Sequence, residues 1–430
     1  MKQMTINEMA KEARNASISL AAINEVTKNK ALQCIASELV RYKAQIQEAN
    51  ALDLQKAKEE ALDLPLLKRL AFDEDKVMES VKGIESLCSL DEPVGKVQMK
   101  TELDEGLMLT RVSTPIGVIG VIFESRPDAL VQIATLCLKS GNAVLLKGGR
   151  EAEHTNRLLF EIIKRATEDL GLPKGWIGLV ETREQVGEML KMTKEIDLLI
   201  PRGSNTFVSY IMKNSDIPVM GHADGICHTY VDASADLEVA VKVVMDSKTQ
   251  YVSVCNALET LLVHEKVAEA YLPQLKAVLD AKKVTLRGCE KVQQIIACEP
   301  ATEEDWQTEY LDYTLSIKVV ATEDEAIGHI NQYGSGHTDS IVATDAEAIE
   351  RFMNLVDSGN VSCNVSTRFS DGFRYGFGAE VGVSTSKIHA RGPVGLEGLL
   401  IYKYQLRGNG HIVEDYATGK RHFTHKKIIH

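Results

Sequence analysis

From residue 5 to about 90, apolar residues return every three or four positions in a background rich in Ala, Leu, Glu and Lys. The stretch INEMAKEARNASISLAAINEVTKNKALQCIASELVRYKAQIQEANALDL carries the pattern, which predicts a helical layer packed on the rest of the chain. Near residue 115 the period changes. Short β-branched or Leu-rich runs now alternate with amphipathic segments: GVIGVIF then DALVQIATLCLKS, NAVLLK then TNRLLFEIIKRATEDLG, WIGLV then REQVGEMLKMT, DLLIP then NTFVSYIMKN, HTYVD then DLEVAVKVVMDSKT. Such alternation predicts a parallel sheet with crossover helices, an α/β architecture of nucleotide-binding type. A second series, built on TLLVH, SIKVVAT, DSIVAT and GNVSCNVS, predicts another α/β domain beginning near 235. Two segments fit neither series. VQMKTELDEGLMLTRVSTP (97–115) and LLIYKYQLRGNGHIV (399–413) alternate like exposed strands, and such ribbons commonly complete a neighbour's sheet in an oligomer.

Length and charge narrow the classes. A chain of 430 residues implies two or three domains. Its net charge of −12 argues against a general nucleic-acid or anionic-membrane binder, though not against a local basic pocket. No window has the length of a transmembrane helix or of a signal-peptide core, so a cytoplasmic protein is expected. The eight cysteines (34, 88, 137, 227, 255, 289, 298 and 363) form no C-x-x-C pair and no Cys/His spacing that suggests zinc. Reduced thiols and no metal are therefore expected. The basic tail GKRHFTHKKIIH reads as a solvated terminus.

Several stretches carry candidate chemistry. In AVLLKGGREAEHTN (143–156) a strand runs into Lys147, Gly148, Gly149 and Arg150, and a helix then opens near His154. Glycines admit a ligand to the backbone and a helix N-terminus favours an anion, yet the same residues also suit a plain tight turn. PRGSN, with Gly203 and Ser204, has similar qualities, and two such loops at the carboxyl ends of parallel strands suit a nucleotide. Arg126, Arg202, Arg368 and Arg391 sit in loop-like surroundings; each reads singly as an ion pair, and several converging would bind a carboxylate or phosphate. Cys255, followed by Asn256, is a nucleophile candidate with an amide at hand for a developing oxyanion. A free cysteine at a strand end is more often inert core, and Cys227 and Cys363 remain competitors.

Those residues also carry a resemblance. TPIGVIGVIFESRPDALVQIATLCLKSGNAVLLKGG, DLLIPRGS, CNALETLLVH, NVSTRFSDGFRYGFGAEVGVSTSKIHARGPVGLEGL and YKYQLRGNG resemble the γ-glutamyl phosphate reductase family, also called glutamate-5-semialdehyde dehydrogenases, of the aldehyde dehydrogenase superfamily. The likeness runs nearly end to end. It implies an aldehyde dehydrogenase-like α/β fold: a cofactor domain (1–96 and 115–234), a catalytic domain (235–398), and a β oligomerisation ribbon with tail (97–114 and 399–430). By resemblance Cys255 matches the family nucleophile, Lys147 a lysine at the adenosine ribose or its phosphate, and Glu309 a glutamate at the nicotinamide ribose.

With these go Gly148, Gly149, Arg150, Gly203 and Ser204 for the cofactor, and Ser125, Arg126, Arg368, His389 and Arg391 for the substrate. The implied reaction is NADPH-dependent reduction of L-glutamyl 5-phosphate, through a cysteinyl thioester, in proline biosynthesis. A homo-oligomer and a glutamate 5-kinase partner are further expectations. Departures from the superfamily pattern are visible. The glutamate base of aldehyde-oxidising members falls at or near His222, their oxyanion asparagine falls at Ser125, and Val252 stands where relatives often have proline. Losing the base suits an acyl phosphate reductase, which hydrolyses no thioester. A CoA-acylating enzyme and an inactive scaffold for the kinase are the rival readings.

Overall fold

The computed structural model describes residues 4–429, which divide into two compact units: 4–203, 210–219 and 395–429 form one, and 204–209 with 220–394 the other. The first unit begins with the expected helices: α1 (Ile6–Leu20), α2 (Glu25–Arg41), α3 (Lys43–Glu59), α4 (Leu64–Leu70) and α5 (Glu74–Ser89). α1 starts where Thr5 and Glu8 cap each other's backbone N–H, and it buries Ile6, Ala10, Ala13, Ala16, Ser17 and Leu20, one stripe at helical spacing. The strands β1 (Val97–Asp104) and β2 (Leu107–Pro115) follow. Then β3 (Val118–Phe123), α6 (Pro127–Ser140), β4 (Ala143–Lys147), α7 (Glu153–Glu168), β5 (Ile177–Leu179), α8 (Arg183–Met189) and β6 (Leu198–Arg202) alternate. Their four strands form a parallel sheet in the order β5-β4-β3-β6. Every residue of β3 and β4 is buried, as apolar runs without alternation require. The helical layer is tied to this sheet by Arg14, whose two N–H groups reach both oxygens of Asp197 at 2.8 Å, while one of those oxygens also accepts from Val118 N.

The second unit holds a seven-stranded sheet. Its members are β7 (Cys227–Val231), β8 (Leu258–His264), β9 (Thr285–Gly288), β10 (Glu299–Pro300), β11 (Thr314–Val320), β12 (Thr338–Val342) and β13 (Asn360–Cys363), ordered β10-β9-β11-β8-β7-β12-β13 with every pair parallel. One face packs on α10 (Leu237–Thr249) and α11 (Glu265–Ala281), with Val244, Leu261, Tyr271, Leu272, Leu275 and Ile317 at the centre of that core. A helix that bridges the units in sequence, α9 (Asn205–Asn214), precedes this sheet. The boundary expected near 235 needs correcting. HTYVD belongs to β7, which pairs with β8 and β12 and so lies in the second sheet. Alternation along the chain reveals a strand but not which sheet it joins, because parallel pairing is decided by distant segments.

The two odd segments pair with each other: β16 (Leu400–Arg407) lies antiparallel to β2, from Leu400↔Pro115 to Arg407↔Met108, after the short hairpin of β14 (Gly382–Ser384) and β15 (Gly392–Val394) in the second unit. The tail departs from expectation. Its β17 (Lys426–Ile429) adds a fourth strand beside β1, and Arg421 Nε meets Asp104 at 2.7 Å. Backbone pairing orders a segment whose described side chains stay mostly in water. Among the described residues no helix is long and apolar enough to cross a membrane.

One buried histidine makes the second unit's stability depend on pH. His329 is enclosed by His228, Trp306 and Tyr333 rings, and Lys318 Nζ lies 3.3 Å from its Nδ1. Burial first, then His228 and the Lys318 ammonium, hold its pKa down at about 3. The native state keeps this ring neutral, whereas the unfolded chain protonates it below about pH 6.5. Its contribution is therefore complete above that pH and is lost as pH falls towards 3. At pH 5 the loss is about 2 kcal/mol. Urea midpoints measured at pH 7 and 5 should fall for the wild type, and H329F should show a fall smaller by about that amount.

Candidate active site

Cys255 stands in the turn between α10 and β8. Ala257 N donates to Val254 O at 3.1 Å and closes the turn, placing the cysteine at the amino edge of the parallel sheet, half-buried. The segment leading into β7 passes directly beneath it. A Cβ on Gly225 would lie 2.2 Å from the Cys255 carbonyl oxygen and 2.5 Å from its Cα, so only glycine permits this approach. Two residues on, the buried Cys227 donates its S–H to the same carbonyl at 3.1 Å. Burial pushes the Cys227 thiol well above its ordinary pKa, and burial also raises Cys363. Of the three candidate thiols, Cys227 is thus a backbone prop and Cys363 is a strand residue in β13.

The flanks of the turn are anchored in the core. Lys248 of α10 and Glu259 of β8, both fully buried, meet at 2.6 Å, and Leu311 N donates to the other Glu259 oxygen at 3.2 Å. Burial drives the carboxyl up to about 7 and the ammonium down, while the hydrogen bond between them opposes both shifts. Asn256 is committed elsewhere than expected. Its Nδ2 donates to Ser370 O at 2.8 Å, and its backbone carbonyl accepts from Thr367 Oγ1 at 2.7 Å. That side chain fastens the 366–370 loop beside the turn. Arg368 of this loop is buried, bonded through Nε to Gln250 Oε1 at 2.9 Å, and shifted down by burial and by Arg374.

Two imidazoles join the cysteine. One ligand nitrogen from each of His222 and His337, together with Cys255 Sγ, lie within 4.8 Å of one another. His222 directs Nδ1 to Val383 O at 2.9 Å, and the fully buried His337 directs Nδ1 to Thr338 Oγ1 at 2.8 Å. Glu309 lies in the same unit, held by the Asn205 amide and by a backbone N–H of Gly225, with its pKa raised by burial. Arg391 is paired with Asp357 at 3.0 Å, and His389 is exposed on the loop between β14 and β15.

The first unit gathers its candidates at the carboxyl edge of its sheet, where β3 separates the ends of β4 and β6. Lys147 is buried at the end of β4 and its ammonium contacts Gly148 O. The glycines behind it have internal uses: a Cβ on Gly148 would meet Asn156 Nδ2 at 2.1 Å, and one on Gly149 would meet Glu151 at 1.9 Å. Glu151 in turn holds Ser125, accepting from its backbone N and its Oγ, both at 2.6 Å, in a residue with φ of 45°. The N-terminus of α7, expected to favour an anion, already has one. Buried Asp53 of α3 accepts from His154 N at 3.1 Å and Thr155 N at 2.8 Å. Arg150 reaches Glu60 at 3.4 Å and Arg126 reaches Asp128 at 2.8 Å, while Gly203 and Ser204 follow the end of β6.

Comparison with known proteins agrees along the whole chain. An aldehyde dehydrogenase family model matches residues 1–293. The γ-glutamyl phosphate reductase of Acetivibrio thermocellus is 65% identical over 425 residues, covering 99% of each chain. That of Pelotomaculum thermopropionicum is 63% identical, covering 99% of this chain and 98% of its own. The crystal structure of the Thermotoga maritima γ-glutamyl phosphate reductase superposes with a TM-score of 0.93 at 41% identity, over 95% of this chain and 100% of that one. The chain belongs to the γ-glutamyl phosphate reductases of the aldehyde dehydrogenase family. For a chain of this reductase family, motif reading singled out Cys255 and the loops around it as candidates. It missed Gly225, Lys248, Glu259 and His337. GHTDS at the start of β12 has no linear signal of its own, and Gly225 could be found only as a glycine followed closely by a strand.

Proposed function

We propose that the Cys255 turn is the reaction centre for NADPH-dependent reduction of L-glutamyl 5-phosphate to glutamate 5-semialdehyde and phosphate. The observation that carries the reading is a half-buried thiol whose backbone is pinned by Gly225 and Cys227 while its side chain is left to react. The Cys255 thiolate adds to the γ-acyl carbon, the bond to the phosphate oxygen breaks, and phosphate departs with the electron pair. A thioester on Cys255 results. A nicotinamide cofactor, when bound beside Glu309, would supply the hydride that this acyl carbon needs. Collapse then breaks the C–S bond, releases the aldehyde and restores the thiolate. Backbone N–H groups of the turn serve the oxyanion, with Asn256 holding the turn in place through Ser370. Arg368, buried beside this loop, is the foremost cation for the phosphate or α-carboxylate; Arg126 and Arg391 can serve only by exchanging Asp128 and Asp357.

A nicotinamide cofactor is the family's, and the residues present fit one. Glu309 is a carboxylate held in place by Asn205 and Gly225, which suits paired ribose hydroxyls. Lys147 at the carboxyl edge of its sheet supports the phosphorylated form of the cofactor, as do the glycines beside it. The capped N-terminus of α7 gives no support to a phosphate there. An oligomer formed through the four-stranded ribbon is supported by the exposed Ile401, Tyr402, Tyr404 and Leu406 on β16. The test is NADP⁺ reduction by glutamate 5-semialdehyde. Activity should require inorganic phosphate; activity requiring CoA instead would overturn the substrate assignment.

A further inference from the structure

Three strands deliver a soft-metal ligand set to one place. His222 precedes β7, Cys255 precedes β8, and His337 directly precedes β12; β7 pairs with both others in parallel, so all three amino ends share one edge. Their donor atoms lie within 4.8 Å of one another. The tautomer that each neutral ring adopts follows from its partner. Val383 O can only accept, so His222 Nδ1 carries the hydrogen. Thr338 spends its hydroxyl hydrogen on Ser370 Oγ at 2.9 Å, so it too accepts from His337 Nδ1. In its neutral form each ring is left with an Nε2 lone pair. That of His337 is buried and has no hydrogen-bond partner, a costly arrangement unless something else engages it. Fixing Nδ1–H on an oxygen acceptor while Nε2 stays free is how metal-binding histidines are oriented.

We propose that Cys255, His222 and His337 form a CysHis₂ site for a thiophilic divalent cation, with Zn²⁺ as the best-suited ion, and that its occupation reversibly withdraws the nucleophile. Zinc bonds of about 2.3 Å to sulfur and about 2.0–2.1 Å to nitrogen require donors roughly 3.5 Å apart. Binding therefore requires the three donors, now within 4.8 Å of one another, to draw together by about an ångström. Binding releases the Cys255 thiol proton to solvent and leaves a fourth position for water, so the site is closed by protein on three sides only. The cation would shield the thiol from oxidation as well as from substrate. Residues 33 and 82 positions apart carry no linear zinc motif, which is why the spacing of Cys and His showed none.

The inference rests on Cys255 being the nucleophile, but its test does not. Chelator-treated protein would be titrated with Zn²⁺, following alkylation of Cys255 by iodoacetamide with mass spectrometry, and with Co²⁺, following the thiolate-to-cobalt charge-transfer band. Equimolar Zn²⁺ should protect Cys255 and Co²⁺ should give a tetrahedral spectrum that Cys255→Ala abolishes. H222Q and H337Q should each weaken protection by about 100-fold or more. H222Q, at a half-buried position, guards against loss of folding in the other. Absence of protection, or protection unchanged in H222Q, overturns the site. Metal binding in a protein that reduces no acyl phosphate would uphold the site and overturn the reaction instead.

Discussion

Cys255→Ala is expected to lower kcat by at least about 10⁴-fold while cofactor affinity stays within about twofold. No neighbouring thiol can take over. Cys227 is buried and its S–H is engaged by the Cys255 carbonyl, and Cys363 lies along β13 with its pKa raised by burial. Alanine fits the turn, because the close approaches are made by the Cys255 backbone to Gly225 and Cys227, not by Sγ. The variant should therefore fold normally. Single-turnover experiments with acyl phosphate would check the chemistry: the wild type should release a burst of phosphate matched to enzyme concentration, and the variant none. A folded variant that keeps a burst would remove Cys255 from the mechanism.

The second large effect is on stability. Lys248→Ala strips the partner from a fully buried Glu259, and breaking such a pair from one side costs about 3–5 kcal/mol. Its consequence would depend on pH. Burial already drives the Glu259 carboxyl up to about 7, and without the ammonium the folded-state value should rise further. A carboxyl with a raised folded pKa costs least when protonated, so the variant should be relatively less destabilised at pH 6 than at pH 8. Replacing both residues, as K248M with E259L, should recover most of the loss, since two apolar chains leave no uncompensated charge. Chemical denaturation at the two pH values measures all of this. Equal destabilisation of the single and double variants would show that packing, not charge, holds α10 to β8. The pair also brackets the Cys255 turn, so K248A should lose activity below its unfolding temperature.

Legibility differed sharply between elements. The helical region that begins with α1 was visible from apolar residues recurring every three or four positions, because a helix is made by neighbours at that spacing. β3 and β4 were visible as apolar runs for an equally local reason. HTYVD was recognised as a strand yet assigned to the first domain, and the tail was read as solvated although β17 pairs with β1. Site residues divide the same way. Cys255 and Lys147 stand out by residue type and setting. The value of Gly225 lies entirely in what passes 2.2 Å from it, and Asp53 caps a helix that begins 100 positions later.

Helical and strand periods, the apolar runs, the candidate thiols and the family motifs are all properties of short windows, and short windows are read directly from residue order. Sheet order is not, because any apolar run can pair with any other until packing chooses. That choice placed β7 between β8 and β12 and so brought His222, Cys255 and His337 to one edge, left His337 Nε2 without a partner, and set Gly225 under Cys255. Hydrogen bonds and close contacts extend only a few ångströms, and their partners here come from positions tens to hundreds of residues away. Which groups meet was therefore settled by long-range strand pairing alone.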